Sequence, residues 1–344
     1  MAPRSPETSE RKFGYNPGVS TVEVEIRSND VNLAYPTENV SMEIISDDAA
    51  DTGKALGTLT LVSAIATDVA VVNGLSYTGV TGVKADNTEF SVDTSDTAAA
   101  ADLTDSINND VRAGITVPTA VIVATSAAGV VTISVDGVIG NLVDISSVDS
   151  TITASAATLT DVGTGARSAL IKGIQINSAG EYVAIEETVF LQGVTAVPLI
   201  QKFYRINRAH IVKVGTDLVN AGLVTIRVVS GSVVQSTIPI GEGQTQQTNY
   251  TGPSNKNLII TSVDFSLSQS SGNAIIVLIK FWVKLRDESW RMVGSKGFGN
   301  GAFNIPLLRH ELEFPADSDF KVTGIKLTGT GDGRVECAYS YIES

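Results

Sequence analysis

The sequence predicts a mainly β protein, a β-sandwich or jelly-roll scaffold carrying a small inserted α+β domain. Three observations lead there. Of the 344 residues, 43% are hydrophobic, and Val, Ile, Leu and Ala dominate over 3 Met, with Thr and Ser abundant. Val, Ile and Thr branch at Cβ, which suits a pleated, half-buried surface better than a helix. The 31 glycines, with frequent Asn, Asp and Ser, supply turns at short intervals. Runs of strand character recur at 21–26, 41–46, 169–176, 182–191, 203–214, 223–229, 258–267, 275–285 and 320–327. Many short strands with few helices point to stacked sheets.

Taken in order, residues 1–20 open with MAPRSPETSERKFG, which lacks the apolar stretch of a secretion signal. Their Pro, Ser and charge content predicts an N-terminal arm that orders on docking. Residues 21–54 and 159–202 form the first part of a β-sandwich. Within it, Asn177-Ser178-Ala179-Gly180-Glu181 reads as a hairpin loop, and Val183, Ile185, Val189 and Leu191 then alternate with Glu186 and Thr188. That period of two marks a strand with one wet face. Residues 203–344 form a C-terminal, jelly-roll-like sandwich, with a turn at residues 286–289 that places Trp282 and Trp290 on opposite arms.

Residues 55–158 break the pattern. They hold 11 acidic and 2 basic residues, hence −9 of the net −13, and their only aromatics are Tyr77 and Phe90. They also contain the one convincing helix, over 96–111, with Asp96 as N-cap and Ala99, Leu103, Ile107 and Val111 along one face. The flanks, residues 46–53 and 163–167, would join as strand, turn and strand if the segment were removed. It therefore reads as a domain spliced into a surface turn; the alternative is a linear three-domain chain.

The broken run DDAADTG…GTGARSALIKGIQ, followed by EETVFLQGVTAV and KFYRINRAHIV, resembles a family of virion structural proteins of marine tailed bacteriophages, of capsid-decoration or knob type. The segments Asn220-Ala221-Gly222 and 238–246 continue that likeness. The inserted VVNGLSYTGVTG…FSVDTSDTAAAADLTDSIN is similar to a small domain of phage tail and fibre proteins. The resemblance implies incorporation into a virion assembled in the host bacterial cytoplasm. It implies a homo-oligomer, with a trimer favoured, and the major capsid protein or neck and tail proteins as partners. Gly163, Gly165, Gly193 and Gly222 are expected at positive-φ turn positions.

Chemistry is sparse. A net charge of −13 argues against nucleic acid as a partner. The longest strongly apolar run, 274–283, contains Lys280 and is too short to span a bilayer. Cys337 is the single cysteine, so no internal disulfide and no Cys/His metal spacing is expected. His210 and His310 lie in strand-like runs without a nucleophile elbow. The carboxylate pairs Glu186-Glu187, Asp47-Asp48 and Asp317/Asp319 read as solvated turn and strand-face charges, although acidic turns leave a weak Ca²⁺ site open. The glycine-rich stretches 294–301 and 329–333 read as turns and lack the order of a phosphate-binding loop. No catalytic residue, cofactor or metal is assigned. Trp282, Trp290, Phe298 and Phe303 are the candidate contacts between subunits or with a capsid. The expected function is a capsid-decoration or cement protein with a projecting knob. A neck or tail fibre adaptor, or a host-glycan-binding module, is the alternative, and an enzyme ranks third.

Overall fold

Alternation of apolar and polar side chains decides which face of each strand is buried, and in the computed structural model it builds, among the described residues, three main cores and a small cluster of Ile174, Tyr182 and Tyr204. The structure describes residues 10–27, 35–110, 122–136, 143–160, 163–229, 233–269, 274–299, 301–303, 312–330 and 333–343. The protein is mainly β, with several antiparallel sheets and one helix among the described residues.

The C-terminal sandwich encloses Ile26, Val263, Phe265, Val277, Ile279, Phe281, Phe320, Val322, Val335 and Tyr339. Its aromatic rings interlock, with Phe281 5.7 Å from Phe265 and Phe320 5.3 Å from Tyr339. Its main strands are Glu10–Asn16, Val24–Glu25, Leu258–Gln269, Ile276–Lys284, Arg291–Gly299, Gly301–Phe303, Asp319–Thr328 and Gly333–Glu343. Numbered among themselves, they lie in the orders 1-8-3-6 and 2-7-4-5. This is the jelly-roll arrangement, in which successive strands cross between two facing sheets. Leu312–Phe314 adds to the first sheet and Tyr250–Thr251 to the second.

Two expectations change here. Residues 1–20 were expected to form an arm, but from Glu10 onward the segment is an edge strand, paired in register from Glu10↔Tyr341 to Asn16↔Val335. The stretch 294–301, expected as a turn, is largely strand: Arg291–Gly299 pairs with Ile276–Lys284.

The middle sandwich pairs one sheet of Val197–Phe203, Val40–Ser46, Val224–Val228 and Val234–Ile238 with another of Tyr182–Phe190, Ala166–Ile176 and Arg205–Val214. Met42, Ile44, Ile171, Phe203, Ile206, Ile226 and Ile238 fill the space between them. This core takes in residues 203–238, which the sequence pattern had grouped with the C-terminal sandwich. The hairpin at residues 177–181 is present: Asn177 Oδ1 accepts from Ala179 N and Glu181 N, both at 2.9 Å.

The third core draws only on residues 55–159. It lies between a sheet of Ile152–Ala154, Lys54–Leu61, Val130–Asp136 and Ile122–Ala127, a sheet of Ile145–Ser147, Val69–Val72, Leu75–Val80 and Glu89–Ser91, and the helix Asp96–Asn109. Leu103 and Ile107 of the helix join Tyr77 and Phe90 in that core. The N-cap is Ser95, one residue before the expected Asp96: its Oγ accepts from Ala98 N at 3.2 Å. Val111, expected on the helix face, lies outside the described residues.

The connections nest these units. Val24–Glu25 pairs with Asp319–Thr328 through Val24↔Gly324, and Tyr250 resumes pairing along the same strand at Phe320. Arg27 and Gln247 bridge each other where the chain leaves and returns. The middle sandwich thus interrupts the second strand position of the jelly roll. In turn, the unit of residues 55–159 leaves the middle sandwich through two linkers that pair with each other: Gly165 N donates to Ala50 O (3.0 Å), Gly163 N to Thr52 O (2.9 Å) and Thr160 N to Leu56 O (2.8 Å).

Candidate functional site

Trp282 lies on the outward face of Ile276–Lys284, and Trp290 just precedes the strand Arg291–Gly299. Both line a hollow of about 330 Å³, with Glu23, Glu25, Tyr35, Lys321 and Thr323. The Trp282 indole N–H donates to Thr323 Oγ1 at 2.8 Å and to Glu23 Oε1 at 3.1 Å. Trp290 meets Tyr35 edge-on at 5.4 Å, and the Lys321 ammonium sits 4.3 Å over its ring. Lys321 also lies 3.2 Å from Glu25, which accepts from the Tyr35 hydroxyl at 3.1 Å. Burial pushes the Tyr35 phenol well above its ordinary pKa, and Glu25 adds to the rise. At Glu23, burial acts to raise the pKa, but hydrogen bonds from Lys280, Thr323 and Trp282 outweigh it and leave the carboxyl below its usual range. Both indoles are therefore held in place by a charged lattice.

Met292, the cross-strand partner of Trp282, is 52% exposed, and Ile276, 43% exposed, lies six residues away along the strand of Trp282. Phe298 and Phe303 fall on the strands Arg291–Gly299 and Gly301–Phe303, but their side chains lie outside the described residues.

The other residues singled out from sequence have local partners. Glu187 accepts from Ile200 N and Gln201 N, both at 2.9 Å, and so covers the edge of a neighbouring strand. Asp47 accepts from Leu223 N at 2.7 Å, Asp48 from Ala50 N at 2.8 Å, and Asp319 from Thr251 Oγ1 at 2.5 Å. His210 is half-buried on Arg205–Val214, where it bridges Gln244; His310 lies outside the described residues. Among the described residues no group of three or more His, Cys, Asp and Glu side chains could hold a metal ion. No described helix is long and apolar enough to cross a membrane.

The GTGAR and NAG motifs converge on one side chain that sequence reasoning missed. Asp51 is fully buried. Its Oδ1 accepts from Ala166 N (2.6 Å) and Ala221 N (2.8 Å), and its Oδ2 from Ser46 Oγ (2.7 Å) and Gly222 N (2.9 Å). Charge-assisted bonds of this kind are about twice as strong as neutral ones. Asp51 thus ties both linkers of the inserted unit to the turn before Val224–Val228. Of the four motif glycines, only Gly193 has a positive φ (56°). Gly163, Gly165 and Gly222 are instead required by close approach: a Cβ on Gly165 would collide with Asp51 Oδ1, and one on Gly222 would lie 2.5 Å from Asp47 Oδ1.

No family model, curated protein or solved structure matches this chain.

Two surfaces and one joint are then available. The surfaces are the tryptophan hollow on the second sheet of the jelly roll and the edge strand Glu10–Asn16 of the first. The joint is the Asp51-locked neck. A polar seam also fixes the middle sandwich to the jelly roll. Asn207 exchanges two hydrogen bonds with Thr251, both 2.8 Å, and the buried Lys12 ammonium donates to the carbonyls of Asn207 and Asn249. The Arg205 guanidinium, also buried, lies 3.8 Å over Tyr204 and 4.8 Å over Tyr35 and donates to Pro36 O at 2.6 Å.

Proposed function

We propose that this chain is a structural component of a tailed-phage virion, a capsid-decoration protein that carries the acidic unit of residues 55–159 as a projecting knob. The observation that carries this reading is the nesting of three cores. The jelly roll holds the first and last described strands, the middle sandwich is seated in it by the polar seam, and the knob hangs from a paired neck. Such an order suits a base, a spacer and a head whose joints are rigid.

Charge supports the same placement. A segment with 11 acidic and 2 basic residues would repel its copies at a crowded interface, and is tolerated best where neighbours stand apart in solvent. In this reading the base makes the contacts. Trp282, Trp290, Met292 and Ile276 border the surface offered to neighbouring copies, in a homo-oligomer with a trimer favoured, or to the major capsid protein.

Electron microscopy of intact virions, with a gold-labelled antibody raised against residues 55–159, tests the proposal. Label distributed over the shell at regular spacing is expected. Label confined to the neck or tail would replace the decoration reading with a neck or tail adaptor.

A further inference from the structure

The edge strand Glu10–Asn16 breaks the ordinary sheet pattern. Lys12, Gly14 and Asn16 face inward, while Phe13 and Tyr15 face out, Phe13 being 36% exposed. The inward lysine is accommodated by the carbonyls of the seam. Local departures of this kind from an otherwise consistent pattern concentrate at functional sites.

Both rings open on a hollow of about 430 Å³ on the outer face of the first jelly-roll sheet. The volume falls in the range of about 300–1,000 Å³ typical of small-molecule sites. Its floor includes Asp264, Arg334 and Glu336 on the neighbouring strands, and its wall is the connection that bears Glu242, Gln244 and Gln246. The Arg334 guanidinium lies 4.4 Å over Tyr15 and 2.9 Å from Glu336, which also accepts from Ser266 Oγ at 2.9 Å. These contacts hold the floor in shape.

The wall keeps unused hydrogen-bonding capacity. Gln246 is 9% exposed; its Nε2 points to Glu242 at 3.4 Å, and its side-chain carbonyl has no partner among the described residues. Gln244 accepts from Arg208 at 2.7 Å, and its amide N–H groups have no such partner. The Tyr15 hydroxyl is in the same position. Gln244 and Gln246 both line the hollow, so these groups are open to a ligand's hydroxyls.

Donors and acceptors set side by side, next to an aromatic face, match vicinal hydroxyls, each of which donates and accepts. Three carboxylates against one guanidinium make the groove unfavourable for an anionic ligand. We propose that this groove binds a neutral saccharide of one or two hexose units, with Phe13 as the platform and the Tyr15 hydroxyl, Gln244 and Gln246 as the hydroxyl readers. The proposal is independent of where the protein sits on a particle.

Saturation-transfer NMR on the full chain tests it, with glucose, galactose, N-acetylglucosamine and, as the anionic comparator, sialic acid as probes. Transfer to at least one neutral sugar is expected with a Kd on the order of 1 mM, the strength usual for so few polar contacts. Gln246→Leu is expected to abolish it and Tyr15→Phe to weaken it about threefold to tenfold, as loss of one hydrogen bond does. Glu23→Gln, in the tryptophan hollow, is expected to leave it unchanged. If Gln246→Leu does not fold, the solvent-facing Tyr15→Phe carries the test. No transfer to any neutral sugar, transfer to sialic acid alone, or transfer unaffected by the groove variants overturns the proposal.

Discussion

Replacing Asp51 by Asn exchanges one carboxylate oxygen for an NH₂ group and leaves the shape of the side chain nearly intact, so its effect isolates the electrostatics of the neck. The carboxylate accepts four hydrogen bonds, three of them from backbone N–H groups, in a fully buried position. An amide offers one acceptor oxygen. If that oxygen keeps Ala166 N and Ala221 N, the new NH₂ faces Gly222 N, donor against donor, while the Ser46 hydroxyl can rotate to accept. Three bonds lose their charge assistance, at about 1 kcal/mol each, and one buried N–H is orphaned, at about 2 kcal/mol, giving roughly 5 kcal/mol. For a unit of this size each kcal/mol moves Tm by about 3–5 °C, so the transition of the middle sandwich falls by roughly 15–25 °C. Calorimetry reads the shift, and hydrogen exchange of the amides at Ala166, Ala221 and Gly222 assigns it. An Asp51→Asn protein whose transitions stay within about 1 kcal/mol of the parent, with those amides equally protected, refutes the claim that Asp51 locks the neck.

Leu103→Ala empties part of the third core and is expected to destabilise residues 55–159 by about 2–5 kcal/mol, with exchange in the jelly roll unchanged; a mass-resolved exchange profile checks both parts. The lowered pKa of Glu23 means that its stabilising contribution is complete above the ordinary carboxylate range and is lost as pH falls through the depressed value. Glu23→Gln is therefore expected to flatten the acid side of the urea-midpoint curve slightly, since much of the carboxyl is exposed and screened. Burial pushes the Cys337 thiol well above its ordinary pKa; a thiol reagent at mildly alkaline pH is expected to modify it only at the rate of unfolding, and rapid labelling of the native protein would contradict its placement between the sheets.

What could be read in the sequence follows from the physics of each signal. The acidic segment was legible because its composition, its helix and its self-contained apolar set all change at one boundary. Strands such as Tyr182–Phe190 were legible because Asn177 and Gly180 punctuate them. The nesting of the middle sandwich within the jelly roll was not, because Val24–Glu25 and Tyr250–Thr251 are two-residue strands that meet only through a partner near residue 320. The first strand escaped notice because its lysine faces in and its phenylalanine out. Asp51 looked like one more turn carboxylate in DDAADTG; only the arrival of Ala166, Ala221 and Gly222 from distant parts of the chain gives it four donors. The motif glycines were recognised as constrained, but for the wrong reason at three of the four, since crowding and unusual φ leave the same mark on a sequence.

Nesting also imposes a timetable on synthesis. The strand that begins at Glu10 cannot pair until its partner around Tyr341 has emerged, roughly 330 residues later, which at about 5–20 residues per second is a delay on the order of tens of seconds. During that interval the innermost unit can close first, then the layer around it, each bringing its own two ends together and shortening the loop the outer layer must still close. The ribosome therefore releases the outermost layer last, and until then an incomplete sheet edge waits unprotected.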